Sequence, residues 1–168
     1  MKQNYVSGGI SGAITDVTST QAMKHAKMYY EEIRHMSTDV AKIAKNTRFT
    51  QEQILQVKHF LFLDKHVLGD GEEPKYFDPC FEIAESWRRL MGKKKDIQKH
   101  DIILINHELT EMELICKGYS QADAHNITNK KYNYTEESDN YYHELRLKIS
   151  PKEINGGGIR RLLSHRTH

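Results

Sequence analysis

The stretch "DIILINHELTEMEL", residues 101–114, has the spacing of an α-helix, and it decides how the chain is expected to fold. From Asp101 to Lys117 the apolar residues recur with helical periodicity and define a core-facing side made of Ile102, Ile105, Leu109, Met112 and Cys116. The opposite side is polar and carries Asn106, Thr110, Glu113 and Lys117. Between the two sides lie His107, Glu108 and Glu111, bordered by Leu104, Leu114 and Ile115. A polar cluster with an aliphatic border predicts a half-buried site rather than a solvated face.

The helical pattern continues on both sides of this stretch. Thr50 and Gln53 have the spacing of a capping box at the start of one helix, and Ile83, Trp87 and Leu90 recur with the period of another. Pro151 is expected to end the last helix. No segment alternates as a β-strand does. The sequence therefore predicts an all-α fold, a compact single domain of about six or seven helices with short connections.

The composition is typical of a soluble globular protein. The chain has 168 residues, of which 38% are hydrophobic and 29% charged, and this length allows one domain with its own core. No apolar run approaches the roughly 18 residues that cross a membrane, so no membrane association is expected. The first residues lack a secretory signal. The two cysteines, Cys80 and Cys116, are too few for a disulfide framework and favour a reducing compartment.

Basic residues concentrate just before the His107 stretch. Between positions 88 and 99 the only acid among them is Asp96, and a histidine follows directly. Such clusters are often solvated surface, but they are also what a phosphate backbone requires. The candidate substrate-binding residues are Arg88, Arg89, Lys93, Lys94, Lys95, Lys99 and His100.

One interpretation of the His107 stretch is a zinc site. It begins as the HExxH helix of zinc peptidases begins, but Glu111 stands where that motif has its second histidine. Tetrahedral zinc accepts a carboxylate as well as imidazole. In this interpretation His107, Glu111 and His125 are the ligands, and Glu108 is the general base.

A second interpretation is metal-free catalysis on RNA. Cleavage of RNA by its own 2′-hydroxyl needs a base to take that proton and an acid to protonate the leaving oxygen. A histidine held by a carboxylate can do either near neutral pH. His107 would be oriented by Glu111 or Glu108, with His125 or His66 as its complement, and no cofactor would be needed.

A third interpretation requires no catalysis. His107 and Glu111 are four residues apart and can form an ordinary intrahelical pair, which contributes about 0.2–0.5 kcal/mol. Residues 40–61 have the outline of a helix-turn-helix, with Gln51 and Gln53 where a recognition helix meets base edges, although scaffold helix pairs share this outline. The protein would then be a non-catalytic helical binding module.

Several blocks of the chain, taken in order, are similar to a known family. They are "YYEEIRHMSTDVAKIAKNTRFTQEQILQVKHFLF", "KHVLGD", "YFDPCFEIAESWRRLM" and "HDIILINHELTEMELICKGYSQADAHNITNKKYNY". Together they resemble the C-terminal effector domain of some bacterial polymorphic toxins. Such domains end large wall-associated or Rhs/YD-repeat proteins, and similar ones are joined to phage minor head proteins.

The resemblance implies a toxin that enters a neighbouring cell as part of a larger secreted or cell-surface protein and acts in the recipient cytoplasm. It also implies a cognate immunity protein and, commonly, a nuclease activity, often against tRNA. Residues 1–15 would be a Gly-rich linker to the parent delivery protein, residues 16–150 the helical effector domain, and residues 151–168 a basic, flexible tail.

Residues and resemblance together favour a toxic ribonuclease that uses His/Glu acid–base catalysis without a metal. The alternatives are a zinc-dependent peptidase toxin with a variant HExxE helix and the non-catalytic binding module. We also expect the immunity protein to be acidic and to cover residues 88–99 and the His107 helix, because opposite charges speed association.

Overall fold

Seven α-helices make up the described part of the chain, which confirms the predicted all-α fold. The structure is a computed structural model that describes residues 14–68 and 71–158, with side chains as far as residue 149. The helices are α1 (Thr20–His35), α2 (Asp39–Asn46), α3 (Gln51–Lys58), α4 (Phe81–Met91), α5 (Lys99–Cys116), α6 (Gln121–Asn129) and α7 (Tyr134–Gly158). The described residues contain no β-strand, only an isolated bridge between His66 and Lys75. None of the helices in these ranges is long and apolar enough to span a membrane.

The predicted three-part division of the chain falls only partly within the described residues. Positions 1–13 of the predicted linker and 159–168 of the predicted tail lie outside them. The sequence predicted that α7 ends at Pro151, but the helix continues through this residue to Gly158. A proline inside a helix removes one backbone hydrogen bond and crowds the preceding turn, yet the residues after it can remain helical. No helix end therefore marks position 150, and the division stays a prediction.

Short polar side chains fix where the helices begin. The predicted capping box of α3 is present, because the Thr50 hydroxyl accepts from the Gln53 N–H at 3.1 Å and the Gln53 side chain accepts from the Thr50 N–H at 2.9 Å. The Ser120 hydroxyl caps α6 by accepting from the Asp123 N–H at 3.1 Å. Each cap satisfies a backbone donor that has no carbonyl partner within its helix.

The central helix of the fold is α5, which packs against α3, α4, α6 and α7. Leu104 and Ile105 are fully buried in the main core, together with Trp87 of α4. Other residues of the predicted core side pack against this core from partly buried positions, namely Ile102, Leu109 and Met112. Cys116 was also predicted to face the core but is exposed, because it is the last residue of α5, where the chain turns away.

A buried ion pair joins α2, α3 and α4. Lys58 Nζ donates to Asp39 Oδ1 at 2.9 Å and to the carbonyl of Met36 at 2.7 Å. Trp87 Nε1 donates to the other Asp39 oxygen at 3.0 Å. Both carboxylate oxygens of Asp39 therefore have partners, as a fully buried charge requires. The helix pair with the helix-turn-helix outline is thus anchored to α4 through this aspartate.

Replacing Lys58 with alanine is expected to destabilise the protein by about 3–5 kcal/mol, because the Asp39 carboxylate would stay buried without its charged partner. Urea unfolding followed by the fluorescence of Trp87, the only tryptophan, measures the change. Lys117→Ala is the control, since it breaks an exposed pair with Glu113 and should cost far less stability. Similar small losses in both variants would contradict the anchoring role of the buried pair.

Candidate functional site

Three side chains of α5 and α6 converge on one point. His107 and Glu111 lie one turn apart on α5, and His125 comes from α6. Glu111 Oε2 is 3.1 Å from His107 Nε2 and 2.9 Å from His125 Nδ1, and these two nitrogens are 3.3 Å apart. His107 and Glu111 are buried, whereas the side chain of His125 is 49% exposed. We call these residues the His–Glu–His cluster.

The hydrogen bonds of His107 decide which of its nitrogens faces the cluster. Its Nδ1 lies 2.8 Å from the backbone carbonyl of Tyr132, and since a carbonyl only accepts, this nitrogen carries a proton. Burial disfavours a charged imidazole, but the bonds with Glu111 and with this carbonyl outweigh it and raise the pKa of His107. At Glu111 burial favours the neutral carboxyl, but the hydrogen bonds from His107 and His125 outweigh this effect and lower the carboxyl pKa. Without a metal, the cluster is therefore held by shared protons.

A tight turn between α5 and α6 brings His125 back to His107. Gly118 has a φ of +95°, a left-handed conformation that glycine adopts without strain. The Gly118 N–H donates to the carbonyl of Ile115 at 2.9 Å, and the Tyr119 N–H donates to that of Leu114 at 3.2 Å. These two bonds form a Schellman motif, which ends α5 and reverses the chain. The motif therefore lets α6 pack along α5 with His125 beside the cluster.

Glu108 lies next to the cluster and takes no part in its hydrogen bonds. Its side chain is buried, and it forms no hydrogen bond with the described residues. Burial raises the pKa of its carboxyl to about 8. A mostly buried carboxyl without a hydrogen-bonding partner can accept or hold a proton close to reacting atoms.

A pocket of about 580 Å³ opens beside these residues, and we call it the central pocket. His107, Glu108, Glu111 and His125 line one part of it. Most of the remaining wall is apolar and is formed by Tyr30, Phe60, Leu61, Val67, Leu68 and Phe77. Asp78 also lines the pocket, and no described lysine or arginine does. The pocket therefore joins an acidic, histidine-containing site to a hydrophobic cavity.

The structure places His66 outside the His–Glu–His cluster. Its ring stacks on Phe77 with centroids 4.2 Å apart, and its Nε2 lies 2.7 Å from the carbonyl of Phe60. Its backbone pairs with Lys75 through the isolated bridge. Through these contacts His66 supports the aromatic wall of the central pocket. Of the two predicted complements of His107, only His125 is within hydrogen-bonding distance of it.

Two of the predicted phosphate-binding residues are buried instead of exposed. The Arg89 guanidinium donates to Asp101 at 2.7 Å and to His100 Nε2 at 2.8 Å. His100 and Asp101 are themselves buried. The Asp101 carboxylate at the start of α5 binds the Arg89 guanidinium inside the fold. Arg89 still lines a depression together with Arg88, Lys93 and Lys95, whereas His100 is not among the residues that line it.

The other basic residues of that set lie closer to solvent. Arg88 pairs with Glu85, and Lys99 pairs with Glu137. Lys93, Lys94 and Lys95 are exposed at the short turn between α4 and α5. These three lysines are absent from the lining of the central pocket, which separates the predicted phosphate-binding residues from the predicted catalytic ones.

Sequence reasoning missed three parts of this site. The Tyr132 carbonyl is a backbone group and has no residue-type signal. Phe60 and Phe77 belong to segments whose apolar residues looked like ordinary core or loop positions. Within the π-helical turn at His59–Leu63, Phe60 and Leu61 line the pocket, and Leu61 and Phe62 are buried in the core. Sequence periodicity does not reveal such turns.

Comparison of the chain with protein-family models, curated proteins and solved structures found no match. The similarity to toxin effector domains therefore stays a prediction, and the arguments about function below depend on the geometry of the site.

Stability should fall in acid partly because of His100. Burial lowers the pKa of His100 to about 4, and the nearby Arg89 adds to the effect, while Asp101 and Glu137 oppose it. The folded state then binds fewer protons than the unfolded state between about pH 6.5 and 4, so stability is lost as the pH falls through this window, by on the order of 2–3 kcal/mol from this group. His100→Gln should lose correspondingly less, as measured by urea unfolding across the window.

His59→Gln is the control for this experiment, because it removes a histidine whose side chain is half exposed instead of buried. Carboxylates contribute to acid sensitivity in all three proteins, so the informative quantity is the difference between them. An identical pH profile for His100→Gln and the wild type would show that His100 does not titrate in this window.

Proposed function

We propose that this protein is a zinc-dependent hydrolase, and that peptide bonds are the substrate its site suits best. The observation that carries the proposal is the convergence of His107, Glu111 and His125 on one point at the edge of an open pocket. We therefore favour the zinc-site interpretation of the HExxE helix over metal-free catalysis on RNA.

The distances within the cluster fit the donor set of a tetrahedral ion. Zinc bonds nitrogen and oxygen at about 2.0–2.1 Å, which separates neighbouring tetrahedral ligands by about 3.3–3.4 Å. The three separations here are 3.3, 3.1 and 2.9 Å, so a small outward movement of the Glu111 carboxylate would complete the geometry. The hydrogen bond from His107 to the Tyr132 carbonyl fixes the tautomer whose Nε2 can bind a metal, as is usual for ligating histidines.

Different groups of the site would then carry out different steps of hydrolysis. Zinc held by three protein ligands leaves a position for water and makes that water more acidic. Glu108 lies next to the cluster and has no ligand role. In its ionised form, which a pKa of about 8 favours at mildly alkaline pH, it would accept the proton of the attacking water and pass it to the leaving amine. The partly exposed His125 lies on the solvent side of the site, where substrate enters.

The charges around the central pocket favour a peptide over a nucleic acid. Its described lining includes the carboxylic side chains of Asp78, Glu108 and Glu111 and no lysine or arginine. An RNA phosphate would meet acids and apolar walls there instead of the cations that its backbone requires. A neutral peptide backbone carries no such penalty.

The metal-free ribonuclease remains a second candidate, favoured by the raised pKa of His107. A raised pKa favours the imidazolium, and an imidazolium is a suitable general acid. However, the acid and the base must stand on either side of the reacting phosphate, and the facing nitrogens of His107 and His125 are only 3.3 Å apart. The two imidazoles would have to separate before a phosphate could lie between them.

The biological setting is also a proposal, and it rests on the resemblance given above. As a toxin domain, the protein would be carried by a larger secreted or surface protein, act in the recipient cytoplasm and be blocked by an immunity protein. The exposed Lys93, Lys94 and Lys95 would support the binding of an acidic partner.

Protein purified without a histidine tag is expected to bind about one zinc ion per chain, because the cluster supplies three protein ligands. His107→Ala and His125→Ala should each lose the metal, as measured by elemental analysis. Glu108→Gln should keep the metal and lose about 10²- to 10⁴-fold in the rate of peptide hydrolysis, since it removes only the proton acceptor. The rate is read from a peptide library by mass spectrometry.

His66→Ala is the control and should keep its zinc, because His66 does not touch the cluster. Absence of stoichiometric zinc in the wild type, or its retention in His107→Ala, would refute the metal site. RNA cleavage that survives a chelator and disappears in His107→Ala would establish the ribonuclease in its place.

A further inference from the structure

The apolar part of the central pocket is a feature that the hydrolytic chemistry itself does not use. Building on the proposed peptidase function, we propose that it binds one large apolar side chain, aromatic or branched aliphatic, next to the scissile peptide bond. The pocket would thus determine specificity, and the preferred substrates would be hydrophobic segments of unfolded or extended polypeptide.

The walls of this cavity are held in place before any substrate binds. Phe60 and Phe77 meet edge to face with centroids 5.6 Å apart, and His66 stacks on Phe77 at 4.2 Å. His66 is fixed in turn by its bond to the Phe60 carbonyl and by its two backbone bonds with Lys75, at 2.8 and 3.0 Å. A preformed aromatic wall binds an apolar group without a further cost of ordering.

Burial distinguishes the floor of the cavity from its rim. Tyr30 and Leu61 are almost fully buried and form the floor. Val67 and Leu68 line the same pocket but are 58% and 40% exposed. A substrate side chain can therefore reach the floor past an apolar rim, and its binding would cover these two exposed residues.

Size and charge limit what the cavity can accept. Its volume of about 580 Å³ is within the range of about 300–1,000 Å³ that holds compact organic ligands. The described lining includes no lysine or arginine, and its two histidines belong to the proposed zinc site, so an acidic side chain would have no cationic partner in the apolar part of the cavity. The mainly apolar wall equally offers little to a lysine, apart from Asp78 at an exposed position.

Peptides that differ in a single residue test the proposal on the zinc-loaded protein. A random library digested and analysed by mass spectrometry should show Phe, Leu, Tyr or Met enriched at one position beside the cleaved bond. For matched synthetic peptides, Phe should exceed Ala at that position by about tenfold or more in kcat/KM, because burial of a large apolar side chain is worth at least that factor. Zinc-dependent cleavage without this preference would overturn the proposal and leave the peptidase function standing.

Substitutions at two positions connect any preference to this cavity. Phe77→Ala should reduce kcat/KM about tenfold for the Phe peptide and change it less than about twofold for the Ala peptide, with Phe77→Leu in between. Val67→Lys adds a cation at the exposed rim and should raise the rate for an acidic residue relative to the wild type. Met23→Lys is the matched control, since Met23 is 65% exposed on α1 and does not line the pocket. Equal effects of the two lysine variants would overturn the assignment.

A binding measurement without zinc separates this proposal from the proposed function. The chelator-treated protein is titrated with a capped Phe-Leu dipeptide and with a capped Asp-Glu dipeptide, and binding is followed by NMR. Preferential binding of the apolar dipeptide that weakens in Phe77→Ala supports the pocket even if no hydrolysis is found. Equal binding of both dipeptides, or no change in Phe77→Ala, would overturn it.

Discussion

The fold depends on the pairing of ionisable side chains that α5 buries. This central helix carries His100, Asp101, His107, Glu108 and Glu111 on buried positions. A buried charge is strongly destabilising unless another group pairs with it, so the neighbouring elements must present partners at the right places. Arg89 from α4 does so at the start of the helix, and His125 from α6 does so further along. The positions of α4 and α6 are therefore constrained by charge as well as by hydrophobic packing.

Two kinds of buried polar group can be distinguished in this protein. Around Asp39 each carboxylate oxygen has its own donor, and the network is closed. In the His–Glu–His cluster a single oxygen of Glu111 faces two imidazole nitrogens, which also face each other at 3.3 Å. Three ligand atoms that converge on one point can all bind a single metal ion, whereas shared protons cannot join all three equally well. This contrast is the physical reason for interpreting the first network as structural and for proposing a catalytic role for the second.

The distribution of charge distinguishes two surfaces of different chemical character. The central pocket combines carboxylates with an aromatic and aliphatic wall, which suits a neutral, apolar ligand. Lys93 and Lys95 line a different depression, whose other walls are formed by Arg88, Arg89, Gly92, Asp96, Gln98 and Tyr141. A charged partner and a substrate would therefore be recognised by different residues. An acidic protein could dock on the lysines without entering the pocket.

The sequence by itself determined the helices and the character of α5. Helix formation and helix ends depend on residues close together in the chain, so they can be predicted from the amino-acid sequence alone. Examples are the apolar periodicity, the Thr50 capping box and the glycine after α5. The spacing of His107, Glu108 and Glu111 likewise placed them at the border of the core. Only the tertiary structure decided that His125 joins them, that His66 supports an aromatic wall, and that Arg89 and His100 turn inward. These outcomes depend on how separate helices pack, because a side chain many residues away in sequence becomes a partner only when turns and complementary surfaces bring it within a few ångströms.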